Sequence, residues 1–361
     1  MEHIHVQGAP NYYECQEGIL ERLEDLLLRY SFEKGIVIHG EKSWAVTQPF
    51  FPDIKHPALT FYRYQGECSE AEIRAAAEKA TEAEADFVLG IGGGKVLDLA
   101  KAVGNLIQKD VVLIPTLAAT CAAWTPLSVI YDQQGAFVKY TIFPRATLMV
   151  LIEPRILLNS PVNYLRAGIG DTLAKWYEAR ALTDHLSSIR VPVKVGLEGA
   201  KLCKDVLLQD GAQALDDLEH KRLSAAFLNV VETNILSGGI VGGFADAYGR
   251  IAGAHSIHNG LTRFQETHHL LHGEKVAYGI LVQLALENDW DEINRLLPYY
   301  RELQLPYSLD MLGLSANNDM LLQLAEGALK PGESIHLMQN TFTEKDVVRA
   351  VQSLQSFIAA G

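Results

Sequence analysis

The sequence has no run of basic residues. Its 31 Lys and Arg are outnumbered by 44 Asp and Glu, for a formal net charge of −13, and no cationic stripe follows the spacing of a phosphate backbone, so nucleic acid is excluded as an expected partner. Cysteine is scarce: Cys15, Cys68, Cys121 and Cys203 stand far apart, and no Cys-x-x-Cys pair occurs. They read as reduced thiols. The N-terminal Met1-Glu2-His3-Ile4-His5 lacks a basic region followed by an apolar stretch, so no secretory signal is expected. No uninterrupted apolar run reaches the roughly 18 residues of a membrane span. A cytoplasmic protein without membrane partners is the expectation.

The chain does contain a large stock of core residues, 48% hydrophobic over 361 positions, more than a typical single domain needs. The first half alternates β-branched runs with amphipathic segments. Strands are predicted over 35–39, 86–89, 111–114 and 148–152, a Ser-capped helix over 69–85, and a hairpin from 127–131 to 136–141 across Asp132-Gln133-Gln134-Gly135. This is the pattern of a parallel sheet covered by helices. Beyond about Pro161 strand signals nearly vanish and helical periodicity takes over, as in 228–254 and 275–288. The expected architecture is an α/β Rossmann-like domain over 1–160 that binds nucleotide and an all-α domain over 161–361 that binds metal. No internal repeat or low-complexity tract occurs.

Gly90-Ile91-Gly92-Gly93-Gly94-Lys95 follows a predicted strand and opens a helix at Val96. Glycines let the backbone approach a pyrophosphate, and the unpaired amides of a helix N-terminus favour an anion. The match to G-x-G-x-x-G is incomplete because Lys95 replaces the third glycine, and no Ser or Thr follows the lysine as a P-loop requires. A tight strand-to-helix turn accounts for the same residues. Asp98 and Lys101 fall on nearly the same side of the helix as Lys95.

A second constellation lies downstream. Asp171, in Gly168-Ile169-Gly170-Asp171, is placed at the start of a helix, where a helix N-cap is its simplest reading. Five of the twelve histidines fall between His255 and His272. His255 and His258, three apart, share a helical face. Two imidazoles and a carboxylate match a three-ligand zinc site that keeps a position open for substrate. His268 and His269 read as a solvated loop.

These motifs resemble the iron-containing alcohol dehydrogenase superfamily, and within it the zinc-dependent glycerol dehydrogenase branch, over essentially the whole chain. The resemblance rests on Gly92-Gly93-Gly94-Lys95-x-x-Asp98-x-Ala100-Lys101, Ile114-Pro115-Thr116, Leu127-Ser128-Val129-Ile130-Tyr131, Gly168-x-Gly170-Asp171, Ala254-His255-x-x-His258-Asn259-Gly260 and His272-Gly273-Glu274-Lys275. It implies a dehydroquinate synthase-like fold, with an N-terminal Rossmann-like domain, an all-helical C-terminal domain and a homo-oligomeric assembly. It further implies metal ligation by Asp171, His255 and His272. Cofactor contacts are implied at Gly92, Gly93, Gly94, Lys95, Asp98, Thr116, Thr125, Leu127 and Tyr131.

The chain departs from that branch at informative places. Where the iron enzymes carry a fourth ligand, a histidine one turn after the aspartate, it has Lys175, and an ammonium cannot ligate, so Zn2+ is favoured over Fe2+. Where the glycerol enzymes carry an aspartate it has Cys121. Losing an acid and gaining a cation favours a carboxylate substrate, and the flanking sequence resembles the hydroxycarboxylate dehydrogenases, which interconvert 2-oxo and 2-hydroxy acids. Lys175 is then expected to anchor the carboxylate, His258 to position substrate or relay a proton, and Cys121 to line the pocket, although a surface lysine, a supporting histidine and a small buried hydrophobe describe the same residues. The family's ribose-binding acid aligns with Gly40. With Lys42 close by, NADP is expected somewhat ahead of NAD, which Glu41 could still serve. Competing readings are a zinc polyol dehydrogenase, a lyase of the dehydroquinate synthase type and a binding protein that has lost its chemistry.

Overall fold

The structure is a computed structural model that describes residues 3–360. Its strands are β1 Tyr12–Cys15, β2 Lys34–His39, β3 Ala58–Arg63, β4 Phe87–Gly92, β5 Asp110–Pro115, β6 Leu127–Tyr131, β7 Phe137–Ile142 and β8 Met149–Ile152. Among them run the helices α1 Leu23–Leu28, α2 Glu41–Thr47, α3 Glu70–Glu82, α4 Gly94–Leu106 and α5 Pro154–Leu157. The remainder is helical: α6 Val162–Thr183, α7 Val191–Glu219, α8 Ala225–Glu232, α9 Gly238–Ala245, α10 Ala247–Arg250, α11 Gly253–Leu261, α12 His272–Leu286, α13 Trp290–Leu303, α14 Asn318–Ala328 and α15 Glu344–Ala360.

The chain divides into two compact units. One contains Gln7–Pro161 with Asp217–Gly239; the other contains Val162–Asp216 and the residues from Ile240 onward, with a short N-terminal piece ending at Val6. The chain therefore leaves the first unit at Pro161 and returns to it, so the single boundary expected near residue 160 becomes a discontinuous one. The returning segment is tied down by specific contacts: Asn234 Nδ2 donates to Ala118 O at 2.9 Å, and the Tyr13 hydroxyl donates to Glu232 at 2.8 Å.

In the first unit a six-stranded parallel sheet runs β1-β8-β5-β4-β2-β3. β4 and β8 are buried at every position and β2 and β5 at all but their ends, which is why they read as unbroken apolar runs rather than alternating ones. α3 starts where Ser69 Oγ accepts from Glu72 N. The close packing that the third glycine of the nucleotide fingerprint normally provides comes here from another position. A Cβ at Gly90 in β4 would lie 2.6 Å from the Cβ of Ala100 in α4, so the glycine inside the strand lets the helix sit tightly on the sheet.

The other unit is all-α. Asp171 lies in the middle of α6, not at a helix start. The glycines that suggested a terminus have another use: a Cβ at Gly170 would stand 2.5 Å from Gly273 O, and one at Gly273 only 1.8 Å from Ala167 O. They permit α6 and α12 to cross backbone to backbone, bringing Asp171 and His272 together. The continuous helix expected over 228–254, which begins in the sheet unit and ends in this one, is broken by a π-helical turn at Thr233–Ser237 and by Asp246, which adopts φ 51°. By length and mean hydropathy, 1.2, Ala225–Ala245 could span a membrane, but 56% of its apolar window is buried inside the fold.

Candidate functional site

The carboxyl ends of three neighbouring strands converge in the sheet unit. His39 pairs with Ile91 and Gly92 with Pro115, so the residues that follow β2, β4 and β5 lie along one edge, where open α/β sheets bind ligands. Gly93 caps α4, and Thr116 N donates to Gly92 O at 2.9 Å. A Cβ at Gly92 would collide with Val96 at 2.6 Å, whereas at Gly94 the nearest atom is Thr120 Oγ1 at 3.6 Å. The protein itself thus leaves Gly94 room, a space that an approaching pyrophosphate can use at the helix N-terminus. Lys95 lies 2.6 Å from Glu67 and 5.0 Å from the centroid of the Tyr131 ring. Burial, reinforced by Asp98 and Glu67, pushes the Tyr131 phenol up to about 12.

Asp98 and Lys101 face inward. Lys101 Nζ pairs with Asp98 Oδ1 at 2.9 Å and donates to Ala122 O at 2.6 Å, Thr125 O at 3.0 Å and Leu127 O. Asp98 Oδ2 accepts from Val129 N at 2.9 Å. Burial raises the Asp98 carboxyl against the opposing pull of Lys101 and Val129 N–H. Asp98, expected as a cofactor contact, therefore braces the segment that carries Thr125 and Leu127, and Lys101 shares that task. Cys121 is half-buried at the start of this segment, its carbonyl accepting from Trp124 N and Thr125 N. Gly40 caps α2, with its N–H donating to Ser43 Oγ at 2.9 Å. Lys42 is exposed, and Glu41 is paired with Arg63 at the end of β3; Arg63 carried no signal in the sequence.

In the helical unit, ligand atoms of Asp171, His255 and His272 lie within 4.8 Å of one another. Asp171 Oδ1 is 3.3 Å from Nε2 of both histidines. Although buried, it makes no hydrogen bond of good geometry, an orphaned carboxylate oxygen facing two ring nitrogens. A divalent cation resolves that arrangement, so this donor set fits a metal. His272 retains 45% of its side-chain exposure, which leaves the cluster accessible.

Electrostatics and the surrounding contacts agree with that fit. Burial works to raise the Asp171 carboxyl, but His255, His272 and Lys175 hold it well below the usual carboxylate range. Burial alone would lower His255; the facing Glu178 and Asp171 prevail and raise it to about 9. Glu178, which sequence reasoning missed, takes His255 Nδ1 at 2.8 Å and accepts from the backbone N–H groups of Ala252 and His255. That leaves Nε2 of His255 to ligate.

His258 stands beside the three. Its Nδ1 is 2.9 Å from Asn259 Oδ1 and its Nε2 is 2.9 Å from His272 Nδ1, so both ring nitrogens are occupied by protein partners. Burial, with the adjacent His272 and His255, keeps its pKa well below the usual imidazole range. Lys175 is half-buried and donates to Arg250 O at 2.9 Å. His268 and His269 are exposed.

Comparison with known proteins follows the same lines. Residues 10–154 match the family model for iron-containing alcohol dehydrogenase. The chain is 40% identical to hydroxycarboxylate dehydrogenase A of Escherichia coli (strain K12), covering 98% of each. It is 36% identical to a glycerol dehydrogenase of Thermotoga maritima, covering 96% of each. Its fold superposes on the crystal structure of a probable glycerol dehydrogenase from Sinorhizobium meliloti 1021 with a TM-score of 0.87 at 30% identity, over 99% of both chains.

Proposed function

Because the chain belongs to the iron-containing alcohol dehydrogenase family, we propose that it is a metal-dependent dehydrogenase that transfers a hydride between NAD(P)H and a 2-oxo or 2-hydroxy carboxylic acid. The observation that carries this is the donor set of Asp171, His255 and His272 with the Lys175 ammonium one helical turn beyond the aspartate. Similarity over 98% of the length of a hydroxycarboxylate dehydrogenase supports the substrate class.

Asp171, His255 and His272 would hold the cation, with zinc preferred on ligand number. A divalent ion there supplies Lewis-acid polarisation of the substrate oxygen. Glu178 orients His255, and Lys175 brings positive charge close enough to lower the pKa of both Asp171 and Glu178, favouring a carboxylate nearby. Gly92, Gly93, Gly94 and Lys95 would receive the pyrophosphate, and Thr116, Thr125, Leu127 and Tyr131 would make further contacts with the cofactor. A soluble homo-oligomer in the cytoplasm, acting on a small molecule, is the setting we assign to it.

At the adenosine end, Gly40 offers no carboxylate to the ribose, Glu41 is already paired with Arg63, and Lys42 adds a further cation. NADP is therefore preferred to NAD. One charge-assisted hydrogen bond to the 2′-phosphate, about 1.5 kcal/mol, gives a ratio of about tenfold.

Initial rates with the zinc-loaded chain test the reading: reduction of 2-oxobutyrate and 2-oxoglutarate with NADPH and with NADH, beside oxidation of glycerol. Turnover of the oxo acids, faster with NADPH, is expected. Glycerol oxidation with the oxo acids inert would move the chain to the polyol dehydrogenases, the reading that its similarity to the Thermotoga enzyme favours. In the same assay Lys175→Met should raise KM for 2-oxo acids by about tenfold, the loss of one screened charge contact. An unchanged KM removes Lys175 from substrate binding.

A further inference from the structure

A chain of hydrogen bonds runs outward from His272, a candidate metal ligand, to a residue pair at the surface. Asn259 lies near the C-terminal end of α11, and Glu333 precedes the short helical turn Ser334–Leu337. Asn259 Nδ2 donates to Glu333 Oε2 at 2.9 Å. A carboxylate only accepts, so the amide has a single workable orientation, with its Oδ1 turned to His258 Nδ1 at 2.9 Å. Since Oδ1 also only accepts, the proton of the neutral His258 ring belongs on Nδ1.

The next link follows. His258 Nε2 then carries a lone pair and, 2.9 Å away, accepts from His272 Nδ1–H. With its proton on Nδ1, His272 presents the Nε2 lone pair toward Asp171 Oδ1, 3.3 Å distant. Two lone pairs facing each other at that separation need a cation between them, in agreement with the orphaned Asp171 oxygen. Each step is fixed by the one before, and the first is set by Glu333.

We propose that Asn259, held by Glu333, is a positioning residue that fixes the tautomer of His258 and through it commits His272 Nε2 to the metal. This rests on the reading of Asp171, His255 and His272 as the metal centre. Asn259 is exposed and Glu333 only half-buried, so neither is needed to fill a core. Their influence passes through ring protons, as outer hydrogen bonds to ligating histidines do elsewhere.

The test uses the full chain with Zn2+ alone as probe. By competition with a chromophoric chelator, Asn259→Leu should weaken Zn2+ binding about 10- to 100-fold, with the thermal midpoint of the metal-free protein unchanged. The exchange pair Asn259→Asp with Glu333→Gln should restore affinity, because the new carboxylate accepts from His258 Nδ1–H and the new amide donates to it. In the metal-free, 15N-histidine-labelled protein, long-range proton–nitrogen correlations should show His272 protonated on Nδ1, and a mixture of tautomers in Asn259→Leu. Undiminished affinity in Asn259→Leu, or a wild-type His272 protonated on Nε2, overturns the proposal. A wild-type chain that takes up no Zn2+, or whose uptake survives Asp171→Asn, overturns the reading of the metal centre beneath it.

Discussion

Replacing Asp171 with Asn should give a folded chain that no longer retains a divalent metal and whose kcat/KM has fallen by about 10³-fold or more. Asp171 is the only anion in the donor set, buried to 6% exposure within α6. Asn has nearly the same volume but no charge, and its amide nitrogen, if turned inward, would present protons to two ring nitrogens. Two neutral imidazoles remain, a much weaker site for a hard divalent ion. Lewis-acid stabilisation of developing charge amounts to several kcal/mol, and about 4 kcal/mol corresponds to about 10³-fold in rate. The fold should survive, because the crossing of α6 and α12 depends on Gly170 and Gly273 rather than on the carboxylate. Metal analysis after dialysis, steady-state rates and a thermal melt read the outcome together. Stoichiometric metal and a rate within tenfold of wild type would remove Asp171 from the site.

The histidine part of the candidate site was legible in the sequence because its spacing is local, whereas Asp171, on a distant helix, was joined to it only through the family resemblance. His255 and His258 sit three apart on one helix, and His272 opens the next. Glu178 escaped notice although it lies seven residues after Asp171, two turns along the same helix and on the same face. A search for acids at helical spacing from each ligand finds it. Asp171 was misplaced at a helix start because glycine signals both caps and close approaches, and only the partner backbone, here Gly273 O, distinguishes them. The inner strands were legible because burial on both faces leaves unbroken apolar runs. β1 and β3, at the sheet edges and half-exposed, have no such runs and were not anticipated. Arg63 depends on β3, so its pairing with Glu41 was hidden as well. The return of 217–239 to the sheet unit rests on long-range contacts such as Asn234 to Ala118, which have no local signature.

The helix of the glycine-rich loop carries the second large effect. Lys101→Met should destabilise the sheet unit by about 3–5 kcal/mol, the usual cost of removing one partner from a buried ion pair. Lys101 is 4% exposed, and its ammonium donates to the carbonyls of Ala122, Thr125 and Leu127 while pairing electrostatically with the Asp98 carboxylate. Methionine fills the volume and donates to none of them. Asp98 is then left buried with only Val129 N–H in support, in a setting where burial already raises its carboxyl. The segment from Cys121 to Leu127 loses the anchor that shapes it, so NADPH affinity should fall along with stability, although Lys101 need never touch the nucleotide. Adding Asp98→Leu to the variant separates the causes. It removes the stranded charge and should recover part of the stability, while the carbonyls still lack a donor and nucleotide binding remains weak. Urea unfolding and fluorescence titration with NADPH measure the two quantities. A single variant within about 1 kcal/mol of wild type, the range of an ordinary substitution, would mean that the loop holds its shape without Lys101. Nucleotide binding restored together with stability in the double variant would mean that the charge pair, and not the carbonyl anchor, sets the geometry of the cofactor loop.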